Sequence, residues 1–256
     1  MIDTHSHLYD NAFNGDRRQV VERAVAAGVK QVILANVDIT TIEPMRLIAT
    51  QYPDFCLMVM GLQPESVKED YPAQLAAIAE ELDRGSYCGI GEIGLDFYWD
   101  ATYRAEQIDA FETQLQWAEF MDLPVVVHAR KAYAETLTSL QKFKNVRGVL
   151  HCFSGGIEEA RKAVEMGLYL GVGGTITYKN SRLPDIIRTI GLNHLLLETD
   201  APYLPPMPHR GQRNEPQYMR LVVEKLSEIF NSAPEEIDRI TTQNAKHLFQ
   251  THNAVE

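Results

Sequence analysis

The sequence predicts a (β/α)8 TIM barrel, and three observations predict it. Apolar runs of strand length recur about eight times, each followed by a stretch with helical spacing. The runs are apolar throughout rather than alternating, as parallel strands covered on both faces must be. Several of them end on a His, Glu or Asp, from the first residues to Asp200. A doubly wound open sheet is the competing architecture. It calls for a Gly-rich phosphate turn after the first strand and a crevice fed by only a few strand ends, whereas here polar residues close strands along the whole chain, which suits a ring.

The elements follow in order. Ile2 to His5 reads as the first strand. Arg17 to Ala27 follows as a helix with Val20, Val21, Ala24 and Val25 on one side and Gly28 as its stop. Gln31 to Val37 is a buried-type strand, Thr41 to Gln51 a helix ended by Pro53, and Phe55 to Met60 a strand closed by Gly61-Leu62-Gln63-Pro64. A helix near Pro72 to Asp83 leads to the strand Cys88 to Gly91, with Glu92 at its end. Tyr103 to Met121 buries Ile108, Phe111, Leu115 and Ala118, and Pro124 to Val127 leads into His128. Ala132 to Phe143 precedes Arg147 to His151, and Ile157 to Met166 precedes Leu168 to Val172. Pro184 to Ile190 is a short helix before the last strand, Leu195 to Asp200. Helices at Pro216 to Phe230 and Pro234 to Phe249 close the chain, the second with Ser232 and Glu235 at capping-box spacing.

Composition bounds the function classes. At 256 residues, 45% hydrophobic and 23% charged, residues 1–256 read as a single domain with one large core. Lys and Arg total 24 against 35 Asp and Glu, a formal −11, which argues against a surface that grips duplex nucleic acid along its length. An acidic substrate held in a local site stays open, because bound cations and a few arginines reverse the potential there. With no basic leader and no apolar run long enough to span a bilayer, a cytoplasmic protein with no membrane partner is expected. Cys56, Cys88 and Cys152, odd in number and far apart, fit reduced thiols.

Six residues fall at or just past predicted strand ends: His5, His7, Glu92, His128, His151 and Asp200. In a barrel those ends converge on one face. His5 and His7, two apart on a strand, share a side. Singly, each has a plainer reading: a hydrogen-bonded core histidine for His128 and His151, an ion-paired rim residue for Glu92, a turn cap for Asp200. Together, four imidazoles and two carboxylates exceed what one tetrahedral zinc with an open position needs. They suit two divalent ions with a carboxylate between them.

Asp3-Thr4-His5-Ser6-His7, Gly91-Glu92-Ile93-Gly94-Leu95-Asp96, Val127-His128-Ala129-Arg130, His151-Cys152-Phe153-Ser154-Gly155, Leu197-Glu198-Thr199-Asp200-Ala201-Pro202-Tyr203-Leu204 and Arg213-Asn214-Glu215-Pro216 resemble, in order and spacing, the signatures of the TatD family of metal-dependent deoxyribonucleases, within the amidohydrolase superfamily. The resemblance implies that His5, His7 and Asp200 hold one metal, His128 and His151 the other, and that Glu92 bridges. It places Arg130, and with it Tyr203 and Arg213, toward the substrate. One departure stands out. Gln63 occupies the Gly-x-His-Pro turn where many members carry His, and Gln cannot give up a proton near neutral pH.

The expected chemistry is hydrolysis of DNA phosphodiesters, at ends or in single strands, with Mg, Mn or Zn as the two divalent ions. Asp200 is the expected general base and Glu92 the second catalytic carboxylate. Cleavage of an amide, ester or lactone, including aminoacyl-tRNA deacylation, is the alternative, since the same metal pair activates water against carbonyl carbon. A noncatalytic metal-holding protein is a third reading, and requires a closed site. The oligomeric state stays open, a monomer being sufficient. His209, Arg210 and Arg213 in the segment from Pro205 to Pro216 read as phosphate-facing charge or as a solvated loop. Phe97, Tyr98 and Trp99 read as a stacking surface for a base or as rim packing. Asp3 and Asp96 read as bland or as partners of ligating histidines. His194, His247 and His252 read as bland.

Overall fold

The computed structural model describes residues 1–249. Eight parallel strands pair in chain order: β1 (Ile2–Ser6), β2 (Gln31–Ala35), β3 (Cys56–Met60), β4 (Gly89–Asp96), β5 (Val125–Arg130), β6 (Gly148–Leu150), β7 (Tyr169–Val172) and β8 (Leu195–Leu197). The ring closes where the Asp200 amide donates to the His5 carbonyl at 2.9 Å and the His7 amide to the Ala201 carbonyl at 2.7 Å. Helices α1 (Arg17–Ala26), α2 (Ile42–Gln51), α3 (Tyr71–Arg84), α4 (Arg104–Met121), α5 (Tyr133–Leu140), α6 (Ile157–Glu165) and α7 (Leu183–Ile190) connect successive strands. Helices α8 (Met219–Phe230) and α9 (Pro234–Phe249) follow β8. This is a (β/α)8 barrel.

The absence of alternation in the strands now has its cause. Val32 and Leu34 of β2 face outward into the large apolar layer beneath the helices, while Ile33 and Ala35 face the barrel interior. Ile2, Val59, Val126, Val149 and Leu196 share that interior cluster. Ala245, Leu248 and Phe249 of α9 join it and seal the end of the barrel where the strands begin. Both faces of each strand are thus removed from water, and burying a Val, Leu or Ile side chain stabilises by roughly 1.5–3 kcal/mol.

Three expectations change. Val25 on α1 is exposed, and only Val20, Val21 and Ala24 of its predicted face are buried. Helix α9 starts at Pro234, so Ala233 rather than Ser232 occupies the cap position, its carbonyl accepting from the Ile237 amide. Strand β4 does not stop at Gly91 but runs through Glu92 to Asp96. Its register against β5 slips between Ile90 and Ile93, three residues spanning what Val125 to Val127 spans with two. Strand β1 slips in the same way between Asp3 and Ser6 against β2. An inserted residue of this kind turns the following side chains to the opposite face. That is how Ile2 and His5, an odd number of positions apart, both face inward. The predicted His252 lies outside the described residues.

Candidate metal centre

His5, His7, Glu92, His128, His151 and Asp200 come together at the strand ends opposite the α9 seal. Their ligand atoms form two groups. In the first, His5 Nε2 lies 3.2 Å from His7 Nε2 and 3.4 Å from Glu92 Oε2. His7 Nε2 is 3.6 Å from Glu92 Oε2, and both imidazoles are 3.6 Å from Asp200 Oδ1. In the second, His128 Nδ1 is 2.9 Å from Glu92 Oε1 and 3.1 Å from His151 Nε2, which is itself 3.1 Å from Glu92 Oε1. Glu92 gives one oxygen to each.

These separations test whether a metal fits. Ligand atoms about 2.1 Å from a common ion, at tetrahedral or octahedral angles, stand roughly 3.0–3.4 Å apart. The distances above fall in or close to that range, and the N/O donor mixture suits a borderline divalent ion. His5, His7 and Asp200 on the one hand, and His5, Glu92 and His151 on the other, can each surround a cation. The donors fit.

Hydrogen bonds outside the two groups decide which ring nitrogen is free. Tyr9 donates its hydroxyl proton to the Ala35 carbonyl at 2.6 Å, so toward His7 Nδ1, 3.0 Å away, it can only accept. His7 Nδ1 therefore carries a proton and Nε2 faces the carboxylates. Asp96 Oδ2 accepts from His128 Nε2 at 2.8 Å, which leaves Nδ1 to face Glu92. An imidazole nitrogen aimed at a metal has its partner nitrogen held in this way. Asp3 is not bland either. It accepts from the amides of His5 and Thr199 and from the Thr199 hydroxyl, tying β1 to the strand end that carries Asp200.

The electrostatics follow from burial against mutual charge. Burial resists ionisation of Glu92, but His151, His128 and His5 outweigh it and hold the carboxyl well below its usual range. Burial also resists charge on His128, yet Asp96 and Glu92 push its pKa up to about 10. His5, desolvated and facing His151, drops to about 4. Asp200 is desolvated too, but His7, His5 and His151 keep it ionised.

Glu198 escaped the reading of the sequence. It is fully buried, accepts from the Cys152 amide, and places Oε1 4.0 Å from His151 Nδ1. Burial, with Asp200 nearby, drives its carboxyl well above the usual range. Gly171 makes the room: a Cβ there would stand 2.2 Å from Glu198 Oε2 and 2.9 Å from His151 Cα. An acid one residue past β8 was the available signal, hidden by the more obvious Asp200.

The three residues expected to face substrate separate. Arg130 ends β5 and lies 4.0 Å from the Tyr98 ring and 5.0 Å from the Trp99 ring, with no carboxylate partner among the described residues. Tyr203 is exposed at the mouth, its ring edge-on to His7 at 5.9 Å. Arg213 is committed elsewhere: both its terminal nitrogens reach Asp16 at 2.7 Å, and one also reaches Glu215 at 2.8 Å. Its terminal nitrogens are taken by Asp16, Glu215 and the Ala12 carbonyl, so it pins the loop after β8 to the start of α1. Gln63 caps a single 3-10 turn, accepting from the Glu65 amide at 3.0 Å. His209 stacks on Tyr218 at 4.1 Å and Arg210 lies over Tyr178 at 4.9 Å.

Comparison with known proteins gives the chain a family. The family model described as TatD related DNase matches residues 2–250. The chain belongs to the TatD family. It is 36% identical to the uncharacterized metal-dependent hydrolase YabD of Bacillus subtilis, over 98% of this chain and 99% of that protein. It is 32% identical to the 3'-5' ssDNA/RNA exonuclease TatD of Salmonella typhimurium, over 98% and 99%. The crystal structure of YjjV, a TatD homologue from Escherichia coli, superposes with a TM-score of 0.93 at 32% identity, covering 98% of each chain. Like its TatD relatives, the chain is a metal-dependent hydrolase. No helix among the described residues is long and apolar enough to cross a membrane.

Proposed function

We propose that this TatD protein hydrolyses phosphodiester bonds of DNA, at the ends of single strands, with two divalent ions. The observation that carries the reading is Glu92, whose two oxygens each face a separate set of imidazoles. His5, His7 and Asp200 would hold one ion, and His128 and His151 the other. When bound, such ions would supply a nucleophile from water at neutral pH and neutralise charge on the phosphate. Asp200 is the general base: it is ionised, and at 14% its side chain is among the more open of the donors, so it can take the proton of an attacking water. Arg130 binds nonbridging phosphate oxygens through guanidinium donors that no carboxylate among the described residues occupies. Tyr203 borders the site on the His7 side.

A relative named as a 3'-5' exonuclease on single-stranded DNA and RNA supports the substrate class. The test is end-labelled single-stranded DNA incubated with the protein across Mg, Mn and Zn. Expected are metal-dependent shortening, loss in His128→Ala, and a strong loss in Arg130→Ala. Absence of any metal-dependent product refutes the reading. A hydrolase acting on a neutral carbonyl substrate would leave Arg130→Ala active.

A further inference from the structure

The loop after β4 carries two large aromatic side chains in water, apolar area that the fold itself leaves uncovered. Trp99 is 63% exposed and Tyr98 51%, while Phe97 beside them packs inward on the core beneath Arg104. The rim-packing role thus falls to Phe97 alone. The two exposed rings stand edge to face at 4.9 Å, forming a corner, and Arg130 lies over both. This corner is not a loose feature of a surface loop. The Asp96 carboxylate that holds His128 through Oδ2 accepts the amides of Tyr98 at 2.8 Å and Trp99 at 3.3 Å through Oδ1. One side chain therefore fixes both a metal-facing imidazole and the backbone that presents the rings.

We propose that Trp99 and Tyr98 form a stacking platform for a nucleobase adjoining the scissile phosphate, with Arg130 joining base site to phosphate site. The inference rests on the phosphodiesterase reading and adds to it what the protein recognises beyond phosphate. Charge points to the occupant. In a chain of formal charge −11, Arg130 has no carboxylate partner among the described residues and stands two positions past His128 on β5. A free guanidinium seated on aromatic rings beside a cation site favours a ligand that is flat and anionic together, which a nucleotide is and a simple phosphate ester is not. Every base has a π face, so the platform tolerates sequence. A paired base lies between its neighbours and cannot reach an exposed indole, so single strands are favoured over duplex.

The test compares two substrates on the full-length, metal-loaded protein: a single-stranded thymidine decamer, and the same decamer with its bases replaced by tetrahydrofuran abasic residues. Stacking on one ring is expected to contribute about 5- to 150-fold in binding. Trp99→Ala should raise KM for the decamer by a factor in that range with kcat within about twofold, and raise KM for the abasic strand far less. Trp99→Phe, which keeps a ring, should recover most of the loss. Decamer added to metal-free protein should quench Trp99 fluorescence, read against Trp99→Ala, which retains only Trp117. Unchanged KM in Trp99→Ala, or equal losses on both substrates, overturns the platform while leaving the phosphodiesterase intact. If the unmodified protein cleaves neither strand with any metal, the functional reading falls and the platform with it.

Discussion

Asp96→Asn is the most exacting perturbation of the site, because the substitution preserves shape and changes only proton traffic. The native carboxylate can only accept, and it does so on both oxygens: from His128 Nε2 at 2.8 Å, and from the amides of Tyr98 and Trp99. An Asn offers one acceptor and one donor. If its oxygen stays on the amides, its NH2 meets the Nε2–H of His128. That ring then shifts its proton to Nδ1, the nitrogen 2.9 Å from Glu92 Oε1 that a metal needs bare. If the amide turns over, the NH2 confronts two backbone N–H groups instead. In both cases the charge-assisted bond, worth about 1.5–3 kcal/mol, is lost, and in the second a buried donor also goes unsatisfied, at about 1–3 kcal/mol. Loss of such a partner typically weakens metal affinity by about 10–100-fold. Competition against a chromophoric chelator should show that drop for one ion and little change for the other. Equal affinities in Asp96→Asn and the native chain would refute the proton assignment on His128.

Three other outcomes follow from the same geometry. Tyr9→Phe removes the acceptor for His7 Nδ1–H, and metal affinity should fall by about 10-fold with the fold intact, read by the same chelator competition. In the metal-free chain His128, raised from 6.5 to about 10, stabilises the fold fully below about pH 6.5, and this is lost as pH rises through 10. Melting of metal-free protein should therefore decline from pH 7 to 10, and calorimetric metal titrations near pH 7 in buffers of different ionisation enthalpy should show a proton released. Gly171→Ala drives a methyl against Glu198 and the His151 backbone, and should lower stability by about 1–3 kcal/mol in urea melts; an unchanged midpoint would contradict the close packing.

Much of this was legible in the residues. The ring of strands could be read because covered parallel strands are apolar on both faces, and His128 and His151 could be placed because an apolar run leads straight into each. Glu92 was harder. Its strand runs four residues beyond it, and the inserted residue between Ile90 and Ile93 breaks the two-residue period that would have revealed the continuation. The partners of Arg213 are not legible in sequence, because a lone arginine on a loop carries no mark of them and Asp16 lies 197 positions away. Tyr9 and Glu198 act through others, one on His7 and one on the Cys152 amide. Such roles depend on angles between side chains from different elements, which a linear pattern does not encode.

The seal made by Ala245, Leu248 and Phe249 bears on how the chain reaches its native state. These residues complete an apolar cluster begun by Ile2 and continued by residues from five other strands. During synthesis the cylinder has no stopper until α9 leaves the ribosome, and a chain halted before residue 245 would present an oily hole lined by Ile, Val and Leu. Contacts between sequence extremes are slow to form, and exposed apolar surface invites aggregation meanwhile. Until α9 docks, that apolar end of the barrel stays open to water.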